Sequence, residues 1–328
     1  MQVDGSRVQY LMEVLQRRSG NKAAAKILKN VGIKDLEEPI DVLAEAEFVR
    51  LACQELDDLL FAVKAGLDYR YSTTLVGYVA RYSRTVEAAI RNSQKISATV
   101  YPAYRLVLQV SSNYASLELE AVDERLSKYH RHRDLLIFGV LALLRSITNT
   151  QFYPIELRLT HPGGDFASEI EKIAGFPVVF SAEKLEMLLP LSVLDIPIPT
   201  YEPKLRDYLI AYGERLLVDN PNQAPSLRAR IEGVLTNGLP NRLLPAKEVA
   251  ATLGMSGRTM ARRLEGEGLK FRTIVDDLRL DLSKTYLRDG ISVTEVAFLL
   301  DYSDTAAFST AFKRWTELSP RQFVQKAS

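Results

Sequence analysis

Cysteine, tryptophan and histidine are scarce in this 328-residue chain, at one, one and three residues. A lone cysteine, Cys53, excludes an internal disulfide framework and fits a reducing compartment. His130 and His132 alternate along the chain and do not share a helical face. No cysteine or carboxylate spacing completes a zinc site around them, so no metal is expected. Long apolar runs are also missing. The longest, LLIFGVLALL at 135–144, is half the roughly 20 residues that span a bilayer. The N-terminus MQVDGSRVQYL has no basic-then-apolar export signal, so a cytoplasmic location away from membranes is expected. Catalytic signatures are equally thin. The stretch HPGGD lacks the surrounding glycines of a phosphate loop, His161 within it reads as structural, and there is no nucleophile elbow. Neither an enzyme nor a cofactor is indicated.

What is present is an ordinary globular composition, 47% hydrophobic and 25% charged, with room for about two domains. The formal charge of +1 hides an asymmetry. From Ser226 onward there are 16 Lys and Arg against 12 Asp and Glu, while residues 1–225 hold 26 against 29. The sign suits an anionic partner for the C-terminal part. The clearest linker is DNPNQAPS at 219–226, polar and proline-rich, which separates a domain over 1–218 from one over 227–328.

The first domain reads as α+β. Helical periodicity marks 7–18, 41–57, 71–80, 84–96, 130–147 and 203–218. Strand-like alternation marks YRLVLQV (104–110) and YASLELEA (114–121) around the turn SSN, which is a hairpin signal. YPIELRLTH (153–161) and PVVFS (177–181) read as further strands, separated by PGGD and a short helix. Beyond the linker the pattern is helical throughout, so the second domain reads as all-α.

That second domain repeats itself. PAKEVAATLGMSGRTMARRLEGEG (245–268) is echoed at an offset of 47 residues in SVTEVAFLLDYSDTAAFSTAFKRW (292–315). Val249, Ala250, Leu253 and Ser256 fall on Val296, Ala297, Leu300 and Ser303. One residue is then inserted, and Met260 and Leu264 fall on Phe308 and Phe312. Two copies are too few for a solenoid and mark a duplicated small module. Gly254 can take the left-handed turn after the first short helix, and Ser256 can cap the next. In copy two, Ser303 or Asp304 is the candidate cap. The pattern is a helix-turn-helix, whose second helix lies in the DNA major groove. Between the copies, FRTIVDDLRLDLSKTYLRD (271–289) reads as one long helix stopped by Gly290. At 1.5 Å per residue its core of about 17 residues spans roughly 25 Å, enough to hold two reading heads near one DNA turn apart.

The last hundred residues resemble the DNA-binding domain of AraC/XylS-type transcription regulators, above all SVTEVAFLLDYSDTAAFSTAFKRWTELSP. Two positions depart from that family's pattern. Asp301 stands where a turn glycine is usual, and Glu317 replaces a glycine before LSP. FPVVFSAEKLEMLLPLSVLDIPIP (176–199), SRTVEAAIRN (83–92) and IELRLTHPGG (155–164) resemble the N-terminal domain of the non-cupin, arabinose-binding-domain-like subset. The resemblance implies an N-terminal domain that senses an effector, dimerises or does both. It also implies a double-stranded DNA operator, a homodimer, and RNA polymerase as a partner if the protein is an activator.

With Met260 and Leu264 turned to the core, Arg258, Thr259, Ala261 and Arg262 are the outward residues of the first reading helix. Arginine forks two hydrogen bonds onto guanine O6 and N7, so Arg258 and Arg262 are the foremost base readers. The second helix offers Thr305, Ala306, Ser309 and Thr310, which are short and read sequence weakly. Arg263, Lys313, Arg314 and Arg321 are candidates for phosphate contact. Two basic groups in the first domain could receive an anionic effector: Arg81, Arg84 and Arg91, and Lys128, Arg131 and Arg133 in KYHRHRD. A nucleotide second messenger such as a cyclic dinucleotide is a candidate beside amino acids and amines. The alternative is a constitutive or protein-partner-controlled DNA binder whose first domain only dimerises.

Overall fold

The computed structural model describes residues 1–36, 38–69, 74–219, 226–239 and 242–327. These form two compact units that divide within helix α10, Pro203–Asp219. The first unit takes Val76–Glu202, most of what precedes it, and α10 from Tyr212. The second takes Pro203–Ala211 and everything described from Ser226 onward.

The first unit is α+β, as its patterning predicts. A small pair of strands, β1 (Gln2–Val3) and β2 (Ile40–Asp41), brackets α1 (Ser6–Ser19) and α2 (Asn21–Asn30). Then come α3 (Val42–Glu55), α4 (Phe61–Asp68), α5 (Leu75–Arg81) and α6 (Val86–Ile96). The hairpin β3 (Tyr104–Val110) and β4 (Ala115–Ala121) follows, and then α7 (His130–Thr148). The chain continues through β5 (Glu156–Arg158), α8 (Ala167–Ala174), β6 (Val178–Val179), β7 (Glu186–Leu189) and α9 (Leu191–Leu194). The sheet order is β3-β4-β7-β5-β6, antiparallel except for β5 with β6.

Several sequence expectations need adjusting. The strands expected over 153–161 and 177–181 shrink to three and two residues. Their backbone bonds run on irregularly, with Leu159 N–H donating to Val179 and Ser181 N–H to His161, at a left-handed Ser181. Of the helix expected over 71–80, residues 71–73 lie outside the described residues, and α5 runs Leu75–Arg81. Residues 220–225 of the expected linker also lie outside them. Helices α2 and α4 and strand β7 stand outside the sequence expectations, although α2 is amphipathic, with Ala24 and Ile27 buried on one side.

Helix α7 is the centre of this unit. Its apolar run is buried on nearly all sides, including Leu135, Leu136, Ile137, Phe138 and Leu141, as expected of a helix inside a core. No helix of the described residues is long and apolar enough to cross a membrane. Gly66 of α4 allows the close approach of α7, because a Cβ there would lie 2.4 Å from the Leu135 carbonyl oxygen. The start of α7 also meets a buried polar network. Arg7 Nη1 donates to Glu45 at 2.9 Å, and the Tyr101 hydroxyl donates to the other carboxylate oxygen at 2.9 Å. His132 Nε2 lies 2.8 Å from the Tyr101 hydroxyl and Nδ1 lies 3.2 Å from that of Tyr104. A neutral imidazole protonated at Nε2 satisfies every bond, and burial does hold the His132 pKa below its ordinary value. Burial pushes the Glu45 carboxyl up, but Arg7, His132 and Tyr101 together outweigh it and lower its pKa.

The second unit is helical, again as expected. It holds α11 (Leu227–Gly238), α12 (Ala246–Thr252), α13 (Gly257–Gly266), α14 (Phe271–Arg288), α15 (Val293–Leu299), α16 (Thr305–Thr316) and α17 (Pro320–Ala327). The rod α14 buries Ile274, Leu278, Leu282, Tyr286 and Leu287 along one stripe. At 18 residues it is about 27 Å long.

Candidate functional site

The echo in the sequence becomes a repeat of hydrogen bonds. In copy one, Leu253 N–H donates to Val249 and Met255 N–H to Ala250, across a left-handed Gly254. In copy two, at the same offset, Leu300 N–H donates to Val296 and Tyr302 N–H to Ala297, across Asp301 at φ 58°. Ser256 caps α13 by accepting Thr259 N–H at 3.1 Å. Asp304, not Ser303, caps α16, accepting Ala307 N–H at 2.7 Å. Copy two alone has a capping box, Ser292 with Glu295, at the start of α15. Met260 and Leu264 are buried in copy one, and Phe308, Ala311 and Phe312 in copy two.

This packing fixes what faces outward. On α13, Arg258, Ala261 and Arg262 are exposed, while Arg263 is half-buried. Thr259 is half-buried with its hydroxyl 2.9 Å from that of Ser256, so it serves the cap. Neither Arg258 nor Arg262 meets a hydrogen-bond or ion-pair partner among the described residues. Four residues apart, they stand on one helical face. On α16, Ala306 and Thr310 are exposed and Thr305 and Ser309 half-buried. Lys313 and Arg321 are exposed, and Arg314 is exposed but paired with Asp276 of the rod at 3.2 Å.

Copy two is clamped to the rod by a residue that the sequence reading passed over. Arg279 of α14 donates from Nε to the Leu300 carbonyl and from Nη2 to that of Asp301, both at 3.1 Å. Its guanidinium stacks 4.3 Å from the centre of the Tyr302 ring. One side chain thus satisfies carbonyls left open at the end of α15 and supplies the positive charge that a helix C-terminus favours. The unusual Asp301 has a second task, since its carboxylate accepts Leu243 N–H at 3.0 Å, ahead of α12. Glu317 takes the left-handed conformation at φ 64°, as the glycine it replaces would.

In the first unit the two basic groups differ. Arg81 ends α5 and is half-buried, Arg84 is exposed beyond it, and Arg91 is held by Glu87 one turn back at 2.8 Å. Lys128 and Arg131 line one cleft, whereas Arg133 reaches to the Thr160 hydroxyl at 2.9 Å. His130 and His161 join that cleft with ring centres 5.3 Å apart, as does Arg50. Those three come from α3, α7 and the segment after β5, so no local pattern could have grouped them. No group of histidine, cysteine and carboxylate residues suited to a metal occurs among the described residues.

Two family models match the chain. One, described as a helix-turn-helix domain, covers residues 249–326. The other, described as the arabinose-binding domain of AraC transcription regulator, N-terminal, covers residues 23–198. Relatives include an uncharacterized HTH-type transcriptional regulator of Mycobacterium bovis, 28% identical over 48% of this chain and 45% of that protein. HTH-type transcriptional regulator VqsM of Pseudomonas aeruginosa is 27% identical over 58% of this chain and 59% of its own length. The ornithine utilization regulator of the same organism is 24% identical over 76% of this chain and 73% of its own. The chain therefore spans about half the length of the first of these relatives. Among solved structures, transcriptional regulator CdpR from Pseudomonas aeruginosa is similar at a TM-score of 0.41 and 22% identity, covering 93% of this chain and 97% of that one.

Proposed function

The chain belongs to the AraC transcription regulators, and from that premise we propose that it binds a double-stranded DNA operator through two helix-turn-helix units under control of its N-terminal unit. The observation that carries this reading is the state of Arg258 and Arg262. Both are exposed on one face of a capped helix with no partner among the described residues, opposite a buried Met260 and Leu264. Guanidinium groups held so are free to fork onto guanine edges in the major groove. Ala261 sits between them and leaves room for a base. Copy two, with Ala306 and Thr310 exposed, Ser309 half-buried, and Lys313 and Arg321 exposed, positions the protein on the phosphate backbone.

The N-terminal unit is read as effector-binding, with a small anionic molecule as the effector and a homodimer as the binding form. If the protein activates, RNA polymerase is a further partner. These assignments describe a cytoplasmic regulator that acts by binding and not by turnover.

The test is selection of duplexes from a random pool by the full chain, followed by the same selection with Arg258→Ala/Arg262→Ala. Each lost arginine should cost about 1–3 kcal/mol of discrimination at its base. The double variant should retain only non-specific binding, while its melting stays within the range of an exposed substitution. A variant that enriches the same motif as the wild type overturns the assignment of α13 as the reading helix.

A further inference from the structure

In the first unit a cleft of about 310 Å³ opens where the start of α7 meets α3 and the segment after β5. Arg50, Lys128, Tyr129, His130, Arg131 and His161 line it. Its charges do not balance. Arg50 is forked by Glu47, at 2.5 and 2.8 Å. Arg131 meets Asp134 at 3.0 Å. His161 Nδ1 lies 2.8 Å from the Pro162 carbonyl oxygen and Nε2 3.1 Å from Asp134. Both partners are acceptors, so the ring satisfies both only as the imidazolium. Burial works against that charge, yet the Asp134 contact outweighs it and raises the His161 pKa. Lys128 forms no direct ion pair among the described residues and only shares the field of Glu47, which Arg50 already forks; its ammonium stands 5.3 Å from the Tyr129 ring. Arg50, Lys128, Arg131 and His161 thus face only Glu47 and Asp134, which leaves two positive charges unanswered.

The backbone sharpens the imbalance. Helix α7 begins without a side-chain cap and without an acidic residue in its first turn. Helix starts favour anions, and this one carries His130, Arg131, His132 and Arg133 instead. His130 Nδ1 is buried with no hydrogen-bond partner, while its ring lies against His161. Burial and the neighbouring His161 lower the His130 pKa, with Arg133 and Arg131 adding to the effect and Asp134 opposing it. Breaking the local charge rule at a cleft, with a buried ring nitrogen left unsatisfied beside it, is what an anion-binding site looks like before its ligand arrives.

We infer that this cleft is the effector site and that it takes a phosphate monoester of mononucleotide size or smaller, its phosphate seated against Lys128, Arg131 and the start of α7. The inference rests on reading the N-terminal unit as the effector domain. A phosphate monoester carries about −1.5 to −2 charges at neutral pH, which matches the unanswered charge; a single carboxylate supplies half of it. The volume lies at the small end of the ~300–1,000 Å³ range of ligand pockets. A cyclic dinucleotide, larger and with its charges on separate diesters, fits it poorly. The Tyr129 and His130 rings offer a planar wall to the rest of the ligand.

Three histidines make the test direct. Imidazole resonances of the full chain, assigned with single His→Gln variants, are followed by NMR while adenosine 5′-monophosphate or inorganic phosphate is added. The expected result is movement of the His130 and His161 signals that exceeds that of His132, which also borders the cleft but is fully buried and held by Tyr101 and Tyr104. The pH midpoint of His130 should rise, because a bound anion favours the charged ring. Lys128→Glu, at an exposed residue, should weaken binding at least about tenfold, equivalent to ~1.4 kcal/mol, while Lys128→Arg stays close to wild type. Signals unmoved by monophosphate, equal binding by Lys128→Glu, or a response to a cyclic dinucleotide alone would each overturn the inference. Duplex binding by the same sample separates the two readings. Intact DNA discrimination without monophosphate binding sinks the anion site alone; the reverse pattern sinks the regulator reading alone.

Discussion

Arg279→Ala tests whether copy two is held to the rod by one guanidinium. Two charge-assisted hydrogen bonds at 3.1 Å and a stacked tyrosine at 4.3 Å would be lost. Such bonds contribute about 1.5–3 kcal/mol each when buried. Arg279 is only half-buried, so ~1 kcal/mol each is the appropriate discount for solvent screening. The cation–π contact adds about 0.5–1 kcal/mol. A loss of ~2–3 kcal/mol in a unit of this size lowers the melting temperature by about 10–20 °C. The assay is supplied by the sequence: Trp315, the single tryptophan, lies on α16, so its fluorescence reports this unit and no other. Arg279→Lys keeps the charge but cannot fork, and should fall about midway between wild type and alanine. Melting of the alanine variant within about 2 °C of wild type would refute the clamp. A lysine variant equal to wild type would show that charge alone suffices and that the forked geometry is idle.

The two left-handed residues should respond differently to glycine. Glu317→Gly relieves strain at φ 64° and should raise the Trp315-reported melting temperature by a few degrees, about 0.5–1 kcal/mol net. Asp301→Gly gains similar relief but loses the bond from Leu243, so it should stabilise less than Glu317→Gly or not at all; equal gains would show that bond to be inert. Lys313→Ala should reduce the slope of log K against log salt by about 0.9 and leave the selected motif unchanged; a changed motif would place Lys313 on a base. The raised pKa of His161 implies stability that is fully present below the unfolded value near ~6.5 and is lost as pH rises through the folded pKa. Far-ultraviolet circular dichroism melts of wild type should therefore weaken across that window relative to His161→Gln, and parallel pH profiles would count against the Asp134–His161 pair.

The second unit was legible because everything it needs is local. Val249, Ala250 and Leu253, and their counterparts Val296, Ala297 and Leu300, lie within one helix turn of each other. The caps lie three residues from the amides they bind, and the hairpin β3–β4 announces itself by alternation around a short turn. Chemistry of short sequence range leaves its mark in short windows. By itself, therefore, the sequence determined the α+β and all-α division, the duplicated module, its left-handed turns, and Arg258 and Arg262 as outward residues.

Tertiary structure decided what depends on residues far apart in the chain. The clamp joins Arg279 to carbonyls 21 and 22 residues away, and Asp301 reaches Leu243 across 58. The cleft draws Arg50, Lys128 and His161 from three separate segments, and Asp134 meets His161 27 positions on. The basic run KYHRHRD looked like one patch, yet the turn ahead of α7 leaves Lys128 at the cleft, and the helix then turns Arg131 to the cleft, buries His132 behind it and sends Arg133 to Thr160. A run of like residues states which charges are available. Only the packing of α7 against its neighbours states which of them remain unanswered, because that depends on which carboxylates the fold brings within a few ångströms.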